Sequence, residues 1–290
     1  MYIYSRRQLT CPPESLETGE IANDVTGLGT FTEVMVYLTD PSVNVCHANR
    51  TAVGGASVTI KQGRSGFPFG CAVTRNILKS NAYQKWYSTR TEQGHENFSI
   101  PDAMVNFAKQ NNISVRGHDI FWESPNFQPQ WVKSLCAMHL KQAAAQRINS
   151  VVSRYKGELI AWDVVNENLH FSFFEDKLGK NASEIFYSSA YHLDPRTTMF
   201  MNEYNTIEYS GDEAASLEKY IEKLKETKSY PRNAGMLAGI GLQSHFNSGQ
   251  PNIAYMRVAL DILGATGLSI WLTEVDVQNN PNQSSSDYYC

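Results

Sequence analysis

Short apolar runs separated by longer amphipathic stretches set the pattern of the chain from Phe67 onward. The runs are Phe69 to Val73, Ser114 to Ile120, Leu159 to Glu167, Thr198 to Tyr204, Gly239 to Phe246 and Leu268 to Val277, and each has the length of a buried strand. Between them the period changes. Ala103-Met-Val-Asn-Phe-Ala-Lys-Gln110 follows Pro101-Asp102, Leu140 to Tyr155 is long and amphipathic, and Asp212 to Thr227 mixes acids and lysines at helical spacing. One strand and one helix per roughly 30 to 45 residues predict a parallel α/β architecture. A doubly wound sheet would share this alternation, but no G-x-G-x-x-G follows the first strand. Polar and acidic residues instead crowd the C-terminal ends of several runs, which predicts a barrel of the TIM type with its site on the top face.

The stretch ahead of the barrel reads differently. Residues 1–30 hold Pro12-Pro13, several acids and scattered glycines without a period, and no element is assigned to them. Residues 31–64 form a β-rich accessory segment. Val34, Val36 and Leu38 alternate with Met35, Tyr37 and Thr39, and a second alternation, Ala56-Ser-Val-Thr-Ile60, follows the polar turn Asn44 to Gly55. After Gly63-Arg-Ser-Gly66 the barrel occupies residues 65–290.

Composition narrows the function more than the fold. At 290 residues with a net charge of −4 and no concentration of Lys or Arg, the chain has no electrostatic footprint for nucleic acid. It has no apolar run of membrane-spanning length, and its first ten residues carry charges where a signal peptide would be apolar, so no membrane partner and no export signal are expected. Cys11, Cys46, Cys71, Cys136 and Cys290 are scattered and odd in number, and read as free thiols. Sequons at Asn49, Asn97, Asn112, Asn181 and Asn282 would suit a secreted protein but also arise by chance in a chain rich in Ser and Asn. The seven histidines lack ligand spacing, so no metal site is expected, and no nucleophile elbow is present.

Two glutamates stand out because each closes or interrupts an apolar strand: Glu167 in Ile160-Ala-Trp-Asp-Val-Val-Asn-Glu167 and Glu274 in Ile270-Trp-Leu-Thr-Glu-Val-Asp276. A carboxylate is costly there unless a partner or chemistry holds it. Two of them can supply the acid and nucleophile of a glycosidase. Gln243 and His245, two apart on one strand, are expected to point to one face and to reach a carboxylate on the following strand. Asn166 sits beside Glu167 and can donate to a sugar hydroxyl. His118 and Trp122 place an imidazole and an indole at one strand end, Lys85-Trp86 pairs a cation with an aromatic, and Met201-Asn-Glu-Tyr204-Asn205 adds polar groups at another. Taken singly, each has an ordinary structural reading: a strand-end Glu as a paired carboxylate, His118 as a satisfied core histidine, Trp122 and Trp86 as packing, Lys85 as a solvated charge, and Glu203 and Asp276 as surface or salt-bridge groups.

Taken together, they resemble the family 10 glycoside hydrolases, the endo-1,4-β-xylanases, and their plant members in particular. The matching blocks are Phe67-Pro-Phe-Gly-Cys-Ala-Val73, Arg116-Gly-His-Asp-Ile-Phe-Trp122, Gln128-Pro-Gln-Trp-Val-Lys-Ser134, Trp162-Asp-Val-Val-Asn-Glu167, Met201-Asn-Glu-Tyr-Asn205, Gly239-Ile-Gly-Leu-Gln-Ser-His245 and Trp271-Leu-Thr-Glu-Val-Asp276. The resemblance implies a (β/α)8 barrel that cleaves internal β-1,4 bonds of xylan with retention and without a cofactor. It implies Glu167 as acid/base, Glu274 as nucleophile and His245 as the residue orienting it. Lys85, His118, Trp122, Asn166, Tyr204 and Gln243 would bind the sugar, and the family's setting is extracellular or in the cell wall. Oligomeric state is not read from the sequence.

Departures from the family pattern predict an incomplete barrel. Asn81-Ala-Tyr-Gln84 runs straight into Lys85-Trp-Tyr-Ser-Thr89 where the family has its second strand, and Cys290 follows soon after the seventh. Two strands short, a barrel exposes unpaired backbone. The alternatives are therefore a non-catalytic xylan-binding or defective fragment, and, further off, another retaining β-glycanase such as a mannanase or cellulase.

Overall fold

A computed structural model describes residues 96–110 and 114–278 in full, with the backbone of residue 113 and of four short strands at 2–5, 48–51, 55–58 and 69–72. In chain order the strands are β1 (Tyr2–Ser5), β2 (Ala48–Thr51), β3 (Gly55–Val58), β4 (Phe69–Ala72), β5 (Ile113–Gly117), β6 (Phe121–Trp122), β7 (Ala161–Asn166), β8 (Thr198–Glu203), β9 (Ala238–Leu242), β10 (His245–Phe246), β11 (Ser269–Leu272) and β12 (Asp276–Val277). The helices are α1 (Ser99–Gln110), α2 (Gln130–Lys133), α3 (Ala137–Arg154), α4 (Phe173–Leu178), α5 (Ala182–Leu193), α6 (Leu217–Ser229) and α7 (Ile253–Gly264).

One sheet organises the molecule, in the order β11-β9-β8-β7-β5-β1-β4, with β6 added beside β7. Neighbours β5 and β7, β7 and β8, β8 and β9, and β9 and β11 all pair in parallel, as crossover helices require. This is the parallel sheet of a TIM-type barrel left open among the described residues. The place between β4 and β5 is filled by β1, antiparallel to both. The sequence assigns no element before residue 31, yet Tyr2-Ile-Tyr-Ser5 has the β-branched and aromatic content that suits a strand. Within the segment read as an accessory hairpin, β2 lies inside the stretch taken for the polar turn Asn44 to Gly55 and pairs antiparallel with β3; the alternation at Val34 to Leu38 lies outside the described residues.

Strands β7, β8 and β9 are buried on both faces almost throughout, which explains why they read as continuous apolar runs. Helices cover them with one apolar stripe each. In α3 the buried positions are Leu140, Ala143, Ala144, Arg147, Ile148, Val151 and Val152, the three-and-four spacing of a single helix face. Each fully buried Leu or Ile there contributes about 2 kcal/mol. Two buried phenols fasten helices to strands: Tyr187 of α5 donates to Phe200 O at 3.0 Å, and Tyr220 of α6 donates to Met201 O at 2.6 Å. The α6 helix begins later than the charge pattern predicts. Ser216 caps it by accepting the Lys219 N–H at 3.4 Å, and Asp212 stays in the preceding loop, where it accepts the Ala214 N–H at 3.0 Å. No helix among the described residues is long and apolar enough to cross a membrane.

Pairing aligns Trp122, Asn166, Asn202, Gly241 and Trp271 in one row across β6, β7, β8, β9 and β11. Most polar residues singled out from the sequence lie in this row or just beyond it, at the C-terminal ends of the strands.

Candidate active site

Three residues without the freedom of glycine take left-handed backbone at this rim: Glu167 (φ 58°), Asn205 (φ 61°) and Ser244 (φ 67°). Each ends or breaks a strand, and such strain persists only where surrounding bonds fix it. At Glu167 the backbone N–H donates to Asn202 O at 3.0 Å and its carbonyl accepts from Phe171 N–H at 3.1 Å. At Ser244 the fixing group is Glu208, whose Oε1 accepts the N–H groups of both Ser244 and His245. Burial raises the Glu208 pKa even against these donors.

The Ser244 kink changes one expectation. Gln243 and His245 do not share a face of a continuous strand, because β9 ends at Leu242 and β10 restarts at His245. Gln243 turns toward Glu167, with Nε2 at 3.2 Å from Glu167 Oε1 and 3.3 Å from Asn166 Oδ1. His245 alone reaches Glu274, with Nε2 at 3.6 Å from Oε2, while its Nδ1 lies 3.0 Å from Asp276 Oδ2. Leu268 to Val277 is likewise two short strands, β11 and β12, with Glu274 in the break between them.

Around Glu274 the charges favour a carboxylate. Burial pushes its pKa up, but the positive charge of His118, then that of His245, and the Asn202 amide overcome this and hold it well below the usual range. His118 Nδ1 lies 4.0 Å from Glu274 Oε1, and Asn202 Nδ2 donates to the same oxygen at 2.8 Å. Burial disfavours charge on His245 too, yet Glu274 and then Asp276 raise its pKa to about 9. His118 is oriented by Asp163 Oδ2 at 2.9 Å, and the other oxygen of Asp163 pairs with Arg116 in a fully buried ion pair. Phe200 and Trp271 flank that guanidinium, their ring centres 4.9 and 5.8 Å away.

Glu167 sits in a different setting. It is 7 % exposed, and the Trp122 indole N–H donates to its Oε2 at 2.5 Å. Trp122 stacks on Phe127 with ring centres 3.7 Å apart, which leaves an aromatic pair beside the carboxyl. Behind Glu167 lies Glu203, fully buried rather than at the surface, with its pKa pushed up to about 7 by burial against the opposing effect of His170. Tyr204 stacks on His170 at 3.7 Å, and burial with the carboxylates Glu167, Glu203 and Asp212 nearby raises its phenol to about 12.

Asn202 joins the two halves, since its Nδ2 also donates to Asn166 Oδ1 at 3.0 Å. Thus Glu167, Asn166, Gln243, Tyr204, Trp122, His118, His245 and Glu274 converge on one rim, whereas Lys85 lies outside the described residues. Arg116, Asp163, His170, Asn202, Glu208, Asp212 and Thr273 also surround this rim, and the sequence alone assigns them no role. Asn202 lay inside a stretch already noted for its polar groups, and a polar residue in the middle of an apolar strand was the available signal.

Known proteins carry the same pattern. The sequence signature of glycosyl hydrolase family 10 matches residues 70–289. Endo-1,4-beta-xylanase 5 of Arabidopsis thaliana is 47 % identical over 256 residues, which are 82 % of this chain and 45 % of the relative. Endo-1,4-beta-xylanase 4 of the same plant is 43 % identical over 81 % of this chain and 44 % of its own length. The chain therefore spans less than half the length of these relatives. Among solved structures, native xylanase 10B from Thermotoga maritima superposes with a TM-score of 0.62 at 28 % identity, over 70 % of this chain and 62 % of that one. Xylanase 10B from Thermotoga petrophila in complex with xylobiose matches to the same extent. The blocks that pointed to the family from sequence, and the open parallel sheet that carries them, thus agree with an independent match over most of the chain, which belongs to glycosyl hydrolase family 10.

Proposed function

We propose that this chain cleaves internal β-1,4-xylosidic bonds of xylan by double displacement with retention of configuration. One observation carries the proposal: two carboxyl groups share a strand-end rim, linked through Asn202, Asn166 and Gln243 but set in opposite surroundings. Glu274 is flanked by two imidazoles and an amide, which keep it ionised and suited to attack. Glu167 meets the neutral donors of Trp122 and Gln243 and has a buried carboxyl behind it.

In the first step Glu167 gives its proton to the glycosidic oxygen as the Glu274 carboxylate attacks the anomeric carbon. The bond to the leaving sugar breaks and a glycosyl ester forms. In the second step Glu167, now a carboxylate, takes a proton from water as that water attacks the same carbon and frees Glu274. His245, bridged between Glu274 and Asp276, orients the nucleophile. Asn166, His118, Gln243, Trp122, Tyr204 and Lys85 would hold the sugars on either side of the bond. The named activities of the plant relatives and the xylobiose bound to the Thermotoga petrophila enzyme support this substrate class.

The test is hydrolysis of soluble xylan and of an aryl β-xylobioside, with the anomer of the first product read by proton NMR. The β-anomer should appear first, and Glu274→Ala should lose on the order of 10⁴-fold in kcat. Undiminished turnover in Glu274→Ala, or the α-anomer as first product, overturns the assignment.

A further inference from the structure

Immediately behind Glu167, in the turn Glu167-Asn-Leu-His170, lies a cluster that the proposed double displacement does not use. His170 is held at both ring nitrogens by acids: Nδ1 lies 3.1 Å from Glu203 Oε1, and Nε2 lies 3.0 Å from Asp212 Oδ2. An imidazole facing a carboxylate at each nitrogen is matched best when both nitrogens carry protons. The remaining contacts fix each acid in turn. Glu203 Oε2 accepts the Leu169 N–H at 2.7 Å, and Asp212 accepts from Asn205 Nδ2 at 2.8 Å and from Ala214 N–H at 3.0 Å. The Tyr204 ring lies flat on the imidazole, with 9° between the planes.

We infer that Glu203, His170 and Asp212 form an ion triad that clamps the turn following Glu167 and governs the charge balance beside that residue, so that they are positioning residues for the reaction proposed above. The clamp is geometric first. Glu203 binds two successive residues of the turn, Leu169 by its backbone and His170 by its side chain, and this turn begins at the left-handed Glu167. It is electrostatic second. Glu203 and Glu167 are near enough for the charge on one to disfavour charge on the other, and the imidazolium of His170 offsets it. The titratable groups that face the triad from the packed elements are Glu167 at the end of β7, Tyr204 beyond β8, Tyr187 of α5 and Tyr220 of α6. The three phenols stay neutral, their pKa values pushed up by burial, so the carboxyls and the imidazole alone set the balance.

This inference rests on Glu167 being the acid/base, and two measurements keep its failure separate from a failure of that assignment. The first needs no activity: nitrogen-15 NMR of the seven histidines in the whole chain, with His170 identified by its loss in His170→Gln. The ring should remain doubly protonated to about pH 9 and titrate lower in Asp212→Asn. A ring that becomes neutral near pH 6.5 overturns the triad, whether or not the chain cleaves xylan.

The second measurement is the basic limb of the kcat/KM profile on an aryl β-xylobioside. Glu203→Gln removes the neighbouring negative charge and should move that limb down by roughly one pH unit, while His170→Gln removes the neighbouring positive charge and should move it up. A merely structural role would lower kcat in both variants with the limb unmoved, and that result overturns the electrostatic half. Should the chain prove to cleave nothing, the functional assignment falls and the ring titration alone decides the triad.

Discussion

The Asn202 side chain is fully buried, and both ends of its amide are bonded. Nδ2 donates to Asn166 and Glu274, while Oδ1 accepts from Thr273 Oγ1 at 2.6 Å and from Arg116 at 3.4 Å. Replacing it with Ala would strip a donor from the Glu274 carboxylate and an acceptor from the buried Thr273 hydroxyl. Asn202→Ala should therefore lose roughly 2 to 3 kcal/mol of stability by urea unfolding. It should also lower kcat about tenfold or more, because it would displace the carboxylate proposed as the nucleophile. Asn202→Asp separates the two effects. It keeps the shape and the acceptor but sets a carboxyl against Glu274, so its rate should fall further than that of the Ala variant at neutral pH. Equal kinetics for Asn202→Asp and wild type would remove Asn202 from the account of how Glu274 is held.

Strands β8 and β9 owe their close approach to glycine. A Cβ built on Gly241 would lie 2.6 Å from Asn202 Oδ1, 3.0 Å from Met201 O and 3.1 Å from the Arg116 guanidinium, so a methyl group there strikes the polar network under the site from its other side. Gly241→Ala should cost about 1 to 3 kcal/mol and depress xylan hydrolysis as well, readable as a lower urea midpoint with unchanged slope. A neutral effect would mean that the network yields at no cost. The element pattern itself was largely legible in the sequence, because β7, β8 and β9 lie inside the sheet and Leu140 to Val152 repeats at helical spacing. Glu167 and Glu274 stand out in the sequence for a related reason, as carboxylates at the ends of apolar runs, and the roles proposed for them and for His245 come from the family resemblance. What the sequence hid were the breaks. Nothing in Gly-Leu-Gln-Ser-His245 shows that Ser244 turns left-handed, since the cause is Glu208, 36 residues earlier, accepting two backbone N–H groups. In the same way His170 gains meaning only when the fold sets it between Glu203 and Asp212, and Tyr2–Ser5 only when it pairs between β4 and β5.

Across the described residues as a whole, the displaced titrations favour folding in acid. His170 and His245 are both raised from 6.5 to about 9, so the stability each contributes is complete below pH 6.5 and is lost as pH climbs through 9. Glu123 acts in the same sense. Burial raises it from 4.5 to about 8, so above pH 4.5 the unfolded chain releases a proton that the folded chain still holds. Glu123 shows the cause plainly: one oxygen accepts the Phe174 N–H at 2.8 Å, and the other is buried with no hydrogen-bond partner among the described residues. Opposing them are Asp212, lowered to about 2 because its bonds from Asn205, His170 and Ala214 outweigh burial, and Glu274, lowered by His118, His245 and Asn202 against burial. Their contribution is present above about pH 4 and disappears as pH falls toward 2. Thermal unfolding followed from pH 2.5 to 9.5 should thus give a midpoint that rises to a maximum near pH 4 to 5 and then declines through pH 9. Glu123→Gln, which cannot titrate, should flatten the descent between pH 4.5 and 8 without moving the acid limb. A midpoint that climbs steadily from pH 5 to 8 would contradict this, and would mean that the buried acids are ionised and paired in the folded protein after all.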